Sequence, residues 1–380
     1  MKTLLYLGQF PFTEHHYYKY EFGLLQKKAK HKVIIHDLSP ILINKKLISI
    51  WKTKLHKKNK TFYSLNSWIK EFKRLRKIKN LVIYDNLTVP SFKIIIIKLL
   101  LKNSHFPIIT HDISTLKFWE MKKNYNYFLE KFLFHKFNYK LYFKNIKQLF
   151  FEKLNIYNIF IKYKKEFILT NKNKNNNLDH KNKKYVNVHT YEYSNSIYAK
   201  KINSKKKYII FIDNGGPYFV GDADLTHIKT PKNDIPEFYK SLDLFFLKLE
   251  KLFKAKVIII PHAKYKIPSL GKSNINPYLR NRETNNSYNA VARLSKNCLF
   301  TISRGSTAIM YPIINFKPSL IIYKSKYNYY KNEIMNLKVQ CKALSTELID
   351  IDNFNKEKIL KNIKINKKKF IEYKKKFIVS

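Results

Sequence analysis

Short runs of apolar, β-rich residues recur along this chain, and most stop at a polar residue. In the first half they are LLYLG (4–8), KVIIHDLSP (32–40), LVIYD (81–85), FPIITHD (106–112) and EFILT (166–170). Runs of this length bounded by turn signals read as strands, and the longer stretches between them are of helical length. The order predicts strand–loop–helix–strand units of a parallel sheet. In such a sheet the polar residues at strand ends stand on the carboxyl edge, where ligands bind.

The pattern repeats in the second half. KKYIIFIDNGGP (206–217) is followed by a helix-like segment at 237–254 and by AKVIIIPHAKY (255–265). NCLFTISRGSTAIMYPIINFKPSLIIY (297–323) and a Lys-rich helical tail complete it. Between the halves, NKNKNNNLDHKNKK (171–184) is polar and of low complexity, as an exposed linker would be. The expected fold class is therefore α/β, with two doubly wound Rossmann-like domains facing across a cleft. The expected boundaries are 1–184, 185–350 and a tail at 351–380. A length of 380 residues and a 45% hydrophobic content suit two cores of ordinary size.

Charge limits the function classes. Lys and Arg number 75 against 26 Asp and Glu, for a formal net charge of +49. A charge that large draws polyanions at low salt. Yet the cations are mostly Lys, spread as KK and KKK, in a chain also rich in Asn, Ile, Tyr and Phe. That pattern fits codon bias better than a nucleic-acid interface, which favours Arg. Association with an anionic membrane surface is the second reading of the charge. The two cysteines, Cys298 and Cys341, form neither a zinc cluster nor a disulfide framework, and they point to a reducing compartment. MKTLLYLGQFPF lacks a signal peptide's longer apolar region and reads as a first strand. The apolar run 94–101 is too short to span a bilayer. A cytoplasmic protein is expected, with peripheral contact to the inner face of the membrane as the extension of the charge argument.

Three constellations carry chemistry. In the first, Asp213 ends an apolar strand ahead of Gly215 and Gly216. In a chain with 7 glycines, two in a row mark a sharp turn or a close approach. A carboxylate there serves as a general base, or else caps its own turn. Asp222 and Asp224 are nearby alternatives. In the second, His262 emerges after Pro261 at the same edge, with Lys264 beside it, to hold a phosphate oxygen or pack in its loop. In the third, Ser303, Arg304, Gly305, Ser306 and Thr307 join a strand to a short helix, an arrangement that binds anions or simply caps the helix. It lacks P-loop spacing. In the first half, Gly8, Gln9, Pro11, Thr13, Glu14, His15 and His16 follow the first strand, and His111 and Asp112 end another. His189 and Glu192 precede the second half's first strand. HxxxH-type metal binding is not supported and HEXXH is absent, while Asp222 and Asp224 form a DxD pair, a weak signal for a divalent metal.

Across about 210–323, this order resembles bacterial surface-carbohydrate glycosyltransferases of the GT-B fold. It is most similar to the sialyltransferase-like group that uses CMP-activated nonulosonic acids. That group carries an acidic–acidic–Gly motif, a His-Pro motif and a Ser/Thr motif. Here they read Asp213-Asn214-Gly215, Pro261-His262-Ala263 and Ser303-Arg304-Gly305-Ser306-Thr307. The resemblance implies an inverting transfer of a sugar from a CMP donor to a lipopolysaccharide or capsule glycan. Asp213 would be the base, while His262 and the 303–307 turn would hold the phosphate, with no cofactor and no metal. The partners implied are a nucleotide-sugar donor and a glycan or glycolipid acceptor. An NDP-sugar or phosphosugar transferase, a nucleotide-sugar epimerase and a nucleic-acid-binding protein remain open alternatives. So does Glu14 or Asp112 as the base.

Overall fold

The structure, a computed structural model, describes residues 1–43, 55–88, 92–112, 163–170, 182–200, 202, 206–215, 217, 234–261, 277–287, 289–325 and 331–379. The described residues up to Val188 form one compact unit, and those from His189 onward form a second. Both are α/β units built on a parallel sheet.

In the first unit the strands are β1 (Thr3–Gly8), β2 (Lys32–Asp37), β3 (Asn59–Thr61), β4 (Leu81–Asn86), β5 (Ile108–Asp112), β6 (Glu166–Thr170) and β7 (Lys183–Asn187). Their order is β3-β2-β1-β4-β5-β6-β7. The described helices are α1 (Glu14–Lys19), α2 (Phe22–Lys27), α3 (Ser39–Leu42), α4 (Leu65–Leu75) and α5 (Phe92–Lys102). All six residues of the central β1 are buried, because separate apolar clusters cover its two faces. Leu5 and Leu7 pack with Trp68 and Phe72 of α4 and Ile94 and Ile97 of α5. Leu4 and Tyr6 face Phe12, Phe22 and Tyr84.

The second unit runs α6 (Tyr191–Tyr198), β8 (Tyr208–Ile212), α7 (Asp234–Phe253), β9 (Lys256–Ile260), α8 (Ala290–Leu294) and β10 (Thr301–Ser303). A 3-10 turn at Thr307–Ile309 leads into α9 (Met310–Ile314), then β11 (Ser319–Tyr323), α10 (Lys331–Leu344), β12 (Leu348–Asp350), α11 (Lys356–Asn362) and α12 (Lys367–Phe377). The strand order is β12-β11-β10-β8-β9. One face packs on Phe238, Leu242, Phe245, Phe246 and Leu249, spaced as the inner stripe of α7. Pro312 sits at the third position of α9, where a missing N–H costs little.

The two sheets match the doubly wound expectation, and the strands read from apolar runs stand within a residue or two of their expected places. Three details differ. The boundary expected after residue 184 falls inside β7, whose ladder with β6 ties Lys183–Asn187 to the first unit. The segment expected as a tail is helical, but it is a packed part of the second unit. Phe370, Tyr373 and Phe377 of α12 are buried with Ile309, Ile313 and Leu337. Finally, β3, β7 and β12 have no counterpart among the expected strands.

His36, near the carboxyl end of β2, is fully buried against the Phe62 ring at 4.7 Å, and neither ring nitrogen has a hydrogen-bond partner. Burial lowers its pKa to about 3, with Glu71 opposing and Lys60 and Arg74 reinforcing the shift. The unfolded chain therefore binds a proton at His36 that the folded one refuses. Stability is retained above the unfolded value near 6.5 and lost as pH falls from there toward 3. Urea unfolding between about pH 7 and about pH 5 should show a loss approaching ~1.4 kcal/mol per pH unit at its steepest. His36→Leu should remove most of that slope, and an equal slope in the variant would show that His36 is not its source.

Candidate functional site at the carboxyl edge of the second unit

The strand order decides where this site lies. From β8 the chain crosses to β9 on one side, then returns past β8 to place β10, β11 and β12 on the other. The reversal makes the carboxyl ends of β8 and β10 the topological switch point, the place where open parallel α/β sheets bind their ligands. Ile212 pairs with Ser303 in the ladder, so Asp213 and Arg304 are the first residues beyond it on adjacent strands. Two of the three sequence constellations, separated by about 90 residues, thus meet at one place.

The two loops are joined directly. The Asn214 side-chain amide donates to the Arg304 carbonyl. Asp213 is 2% exposed and accepts the Gly215 N–H at 2.9 Å through Oδ1, closing an Asx turn. Gly215, at φ +86°, occupies the left-handed region that this tight return requires. The turn-capping reading of Asp213 is thus realised, at the position where a ligand-edge carboxylate would stand.

On β10's side, Ser303 Oγ accepts the Ser306 N–H at 3.3 Å, and Ser306 Oγ accepts that of Ala308 at 3.3 Å. The capping reading therefore also holds for Ser306. The helix it starts is a single 3-10 turn followed by the five residues of α9, too short to add much dipole. What the loop offers at its surface is the Gly305 and Thr307 backbone and the Thr307 hydroxyl, both residues being exposed. Arg304 points elsewhere: it is buried, with its guanidinium over the Phe238 ring of α7 at 4.9 Å. Gly216, Asp222, Asp224, His262 and Lys264 lie outside the described residues; Pro261, just past β9, is half-buried.

Sequence reasoning missed Lys324. Its side chain is 2% exposed at the end of β11, and Nζ donates to Ser241 Oγ at 2.7 Å. It also pairs with Asp352 at 3.1 Å and Glu237 at 3.4 Å. Its only signal in the sequence is its place directly after the run SLIIY, among many other lysines.

The first unit has its own switch point between β1 and β4. Gln9 spans it: Nε2 donates to Thr88 Oγ1 and Oε1 accepts the Thr88 N–H, both at 2.7 Å. Beyond it, the Thr13 N–H donates to His16 Nδ1 at 3.2 Å, which leaves the His16 proton on Nε2. His56, unremarked in the sequence, is buried, and its Nε2 lies 3.5 Å from the exposed Glu14 carboxylate. Its Nδ1 accepts from the Lys58 N–H, so the proton again faces outward, toward Glu14. Burial lowers the His56 pKa. His111 stacks on Tyr84 at 5.9 Å, and Asp112 ends β5. His189 is exposed beside Tyr193, and Glu192 is buried in α6.

Among the described residues no cluster of three or more His, Cys, Asp or Glu could hold a metal ion, and no helix is long and apolar enough to cross a membrane. Burial pushes both thiols, Cys298 and Cys341, up to about 12, so neither is an activated nucleophile.

No family model and no curated protein matches the chain. Among solved structures it is similar to UDP-GlcNAc 2-epimerase from Methanocaldococcus jannaschii, with 13% identity, 97% of this chain and 93% of that chain covered, and a TM-score of 0.48. The same comparison with that enzyme in complex with UDP-GlcNAc and UDP gives 13% identity, 98% of each chain and 0.41. Acinetobacter baumannii MurG is similar at 9% identity, over 98% of this chain and 93% of that chain, with a TM-score of 0.41. Similarity at these values assigns neither activity nor substrate.

Gly305 tests the β10 loop. At φ +72°, a Cβ would be strained and would stand 3.2 Å from Leu337 Cδ2. Gly305→Ala should cost about 1–2 kcal/mol in denaturant unfolding, whereas a loss near zero would mean that the turn relaxes freely.

Proposed function

We propose that the chain is a nucleotide-sugar-dependent glycosyltransferase whose donor phosphate lies at the β8/β10 switch point. The observation that carries this reading is the meeting there of Asp213 and the Gly305–Thr307 surface, with Asn214 bonded across to Arg304. Within this reading the donor is a CMP-activated ulosonic acid, either a nonulosonic acid such as sialic, pseudaminic or legionaminic acid or the eight-carbon Kdo. The acceptor is a surface glycan or glycolipid.

The reaction is a single displacement. The acceptor hydroxyl gives its proton to Asp213 as its oxygen attacks the anomeric carbon. The carbon–oxygen bond to phosphate breaks, and CMP departs with the electron pair, so the anomeric centre inverts. Backbone N–H groups and hydroxyls of the 303–307 loop, with His262, stabilise charge growing on the phosphate. The monophosphate leaving group asks for no metal. Lysines exposed on α12, among them Lys368 and Lys375, support contact with an anionic bilayer that carries a glycolipid acceptor.

Calorimetry with CMP, CDP, UDP, GDP and a short oligonucleotide tests the reading. CMP should bind selectively. His262→Ala should weaken binding by about tenfold or more, in line with a lost charge-assisted contact. Asp213→Asn should retain CMP and lose turnover by about 10²-fold or more, as expected for a missing base. Selective UDP or GDP binding would keep the enzyme class and change the donor. Salt-sensitive oligonucleotide binding alone, unaffected by either variant, would overturn the proposal in favour of a nucleic-acid binder.

A further inference from the structure

We infer that Lys324 is a positioning residue that seats Arg304, through α7, at the β8/β10 switch point; its consequence for ligand binding rests on the function proposed above. Three observations converge. A lysine with 2% of its side chain exposed must be paired, and this one is held by Ser241 and Glu237 of α7 and by Asp352 beyond β12. Glu237 immediately precedes Phe238, the ring beneath the Arg304 guanidinium. The Arg304 carbonyl in turn receives the Asn214 side chain beside Asp213.

The contacts thus run from β11 into the first two turns of α7, across to β10, and on to β8. Each link is polar or directional, so each fixes an orientation as well as a distance. An apolar residue at 324 would fill the space as well, and removing a buried ion pair in favour of packing is often neutral or better for stability. The ammonium fixes the rotation and height of α7's first turns against the carboxyl edge. Glu237 and Asp352 remain partly exposed, at 43% and 39% of their side chains, so the paired carboxylates tie the buried cation to the surface of that edge. Arg304 then lies where its ring seat puts it, and the loop bearing Gly305 and Thr307 follows.

The test uses the full-length protein with Lys324→Met, Lys324→Arg, Arg304→Ala and the double variant Lys324→Met/Arg304→Ala. Hydrogen exchange is read at residues 236–241 and 304–308, and affinity is read for whichever mononucleotide the wild type binds. Lys324→Met should speed exchange at both segments by about tenfold or more while the α9–α12 core stays unchanged. Lys324→Arg should restore most of the protection. Each single variant should weaken nucleotide binding by about tenfold, and the double should be no weaker than either, the mark of two residues acting as one unit. Ser241→Ala, which removes only a hydroxyl, gives the same exchange pattern in milder form should Lys324→Met fail to fold. Unchanged exchange at 304–308, or additive losses in binding, would overturn the inference. Absence of any nucleotide binding by the wild type would instead overturn the proposed function, and the exchange pattern would still decide the role of Lys324.

Discussion

A parallel sheet covered on both faces leaves its strands no solvent-facing side. The central strands of both units stand under that constraint. β1 and β8 are buried along their whole lengths, so their residues are almost all apolar. Polar side chains are driven to the strand ends, and in a parallel sheet all the carboxyl ends lie along one edge. Asp37, Asp85, Asp213, Arg304, Lys324 and Asp350 all stand on such edges. All six are buried there, and each therefore needs partners. Asp85, for example, accepts from Tyr163 at 2.8 Å and pairs with Lys98 at 3.3 Å.

That need for partners shapes the candidate site. A buried carboxylate, guanidinium or ammonium is tolerated only when its charge is met by hydrogen bonds, an aromatic face or a counter-ion. Asp213 is met by a backbone N–H, Arg304 by Phe238, and Lys324 by a hydroxyl and two carboxylates. The contacts of Arg304 and Lys324 also cross from element to element, so the groups that satisfy burial there also tie neighbouring elements together. In the first unit, Gln9 does the same with the loop after β4.

The capping and ligand readings of the sequence motifs turn out to be compatible. Asp213 closes an Asx turn and Ser306 caps a helical turn, yet both do so at a switch point. Local turn chemistry orders the described loop residues, and the strand order sets them side by side. Arg304 shows the opposite outcome. It belongs to the turn read as anion-binding, whereas its own side chain is buried with the guanidinium over Phe238.

The apolar runs alone determined most of the fold, because a strand buried on both faces must be written as a continuous hydrophobic stretch. The same logic hid β3, β7 and β12. They are edge strands, short or half-exposed, with no apolar run to mark them. The Lys-rich C-terminal segment likewise concealed its inner stripe of Phe370, Tyr373 and Phe377 among charges, so its helicity could be read but its packing could not. Residue types at strand ends pointed to Asp213 and the 303–307 loop as sites. Only the tertiary structure joined them, because adjacency of β8 and β10 depends on strand order, and local sequence carries no record of which strand returns beside which. Lys324 and His56 became visible for the same reason: their roles lie in what long-range packing sets against them.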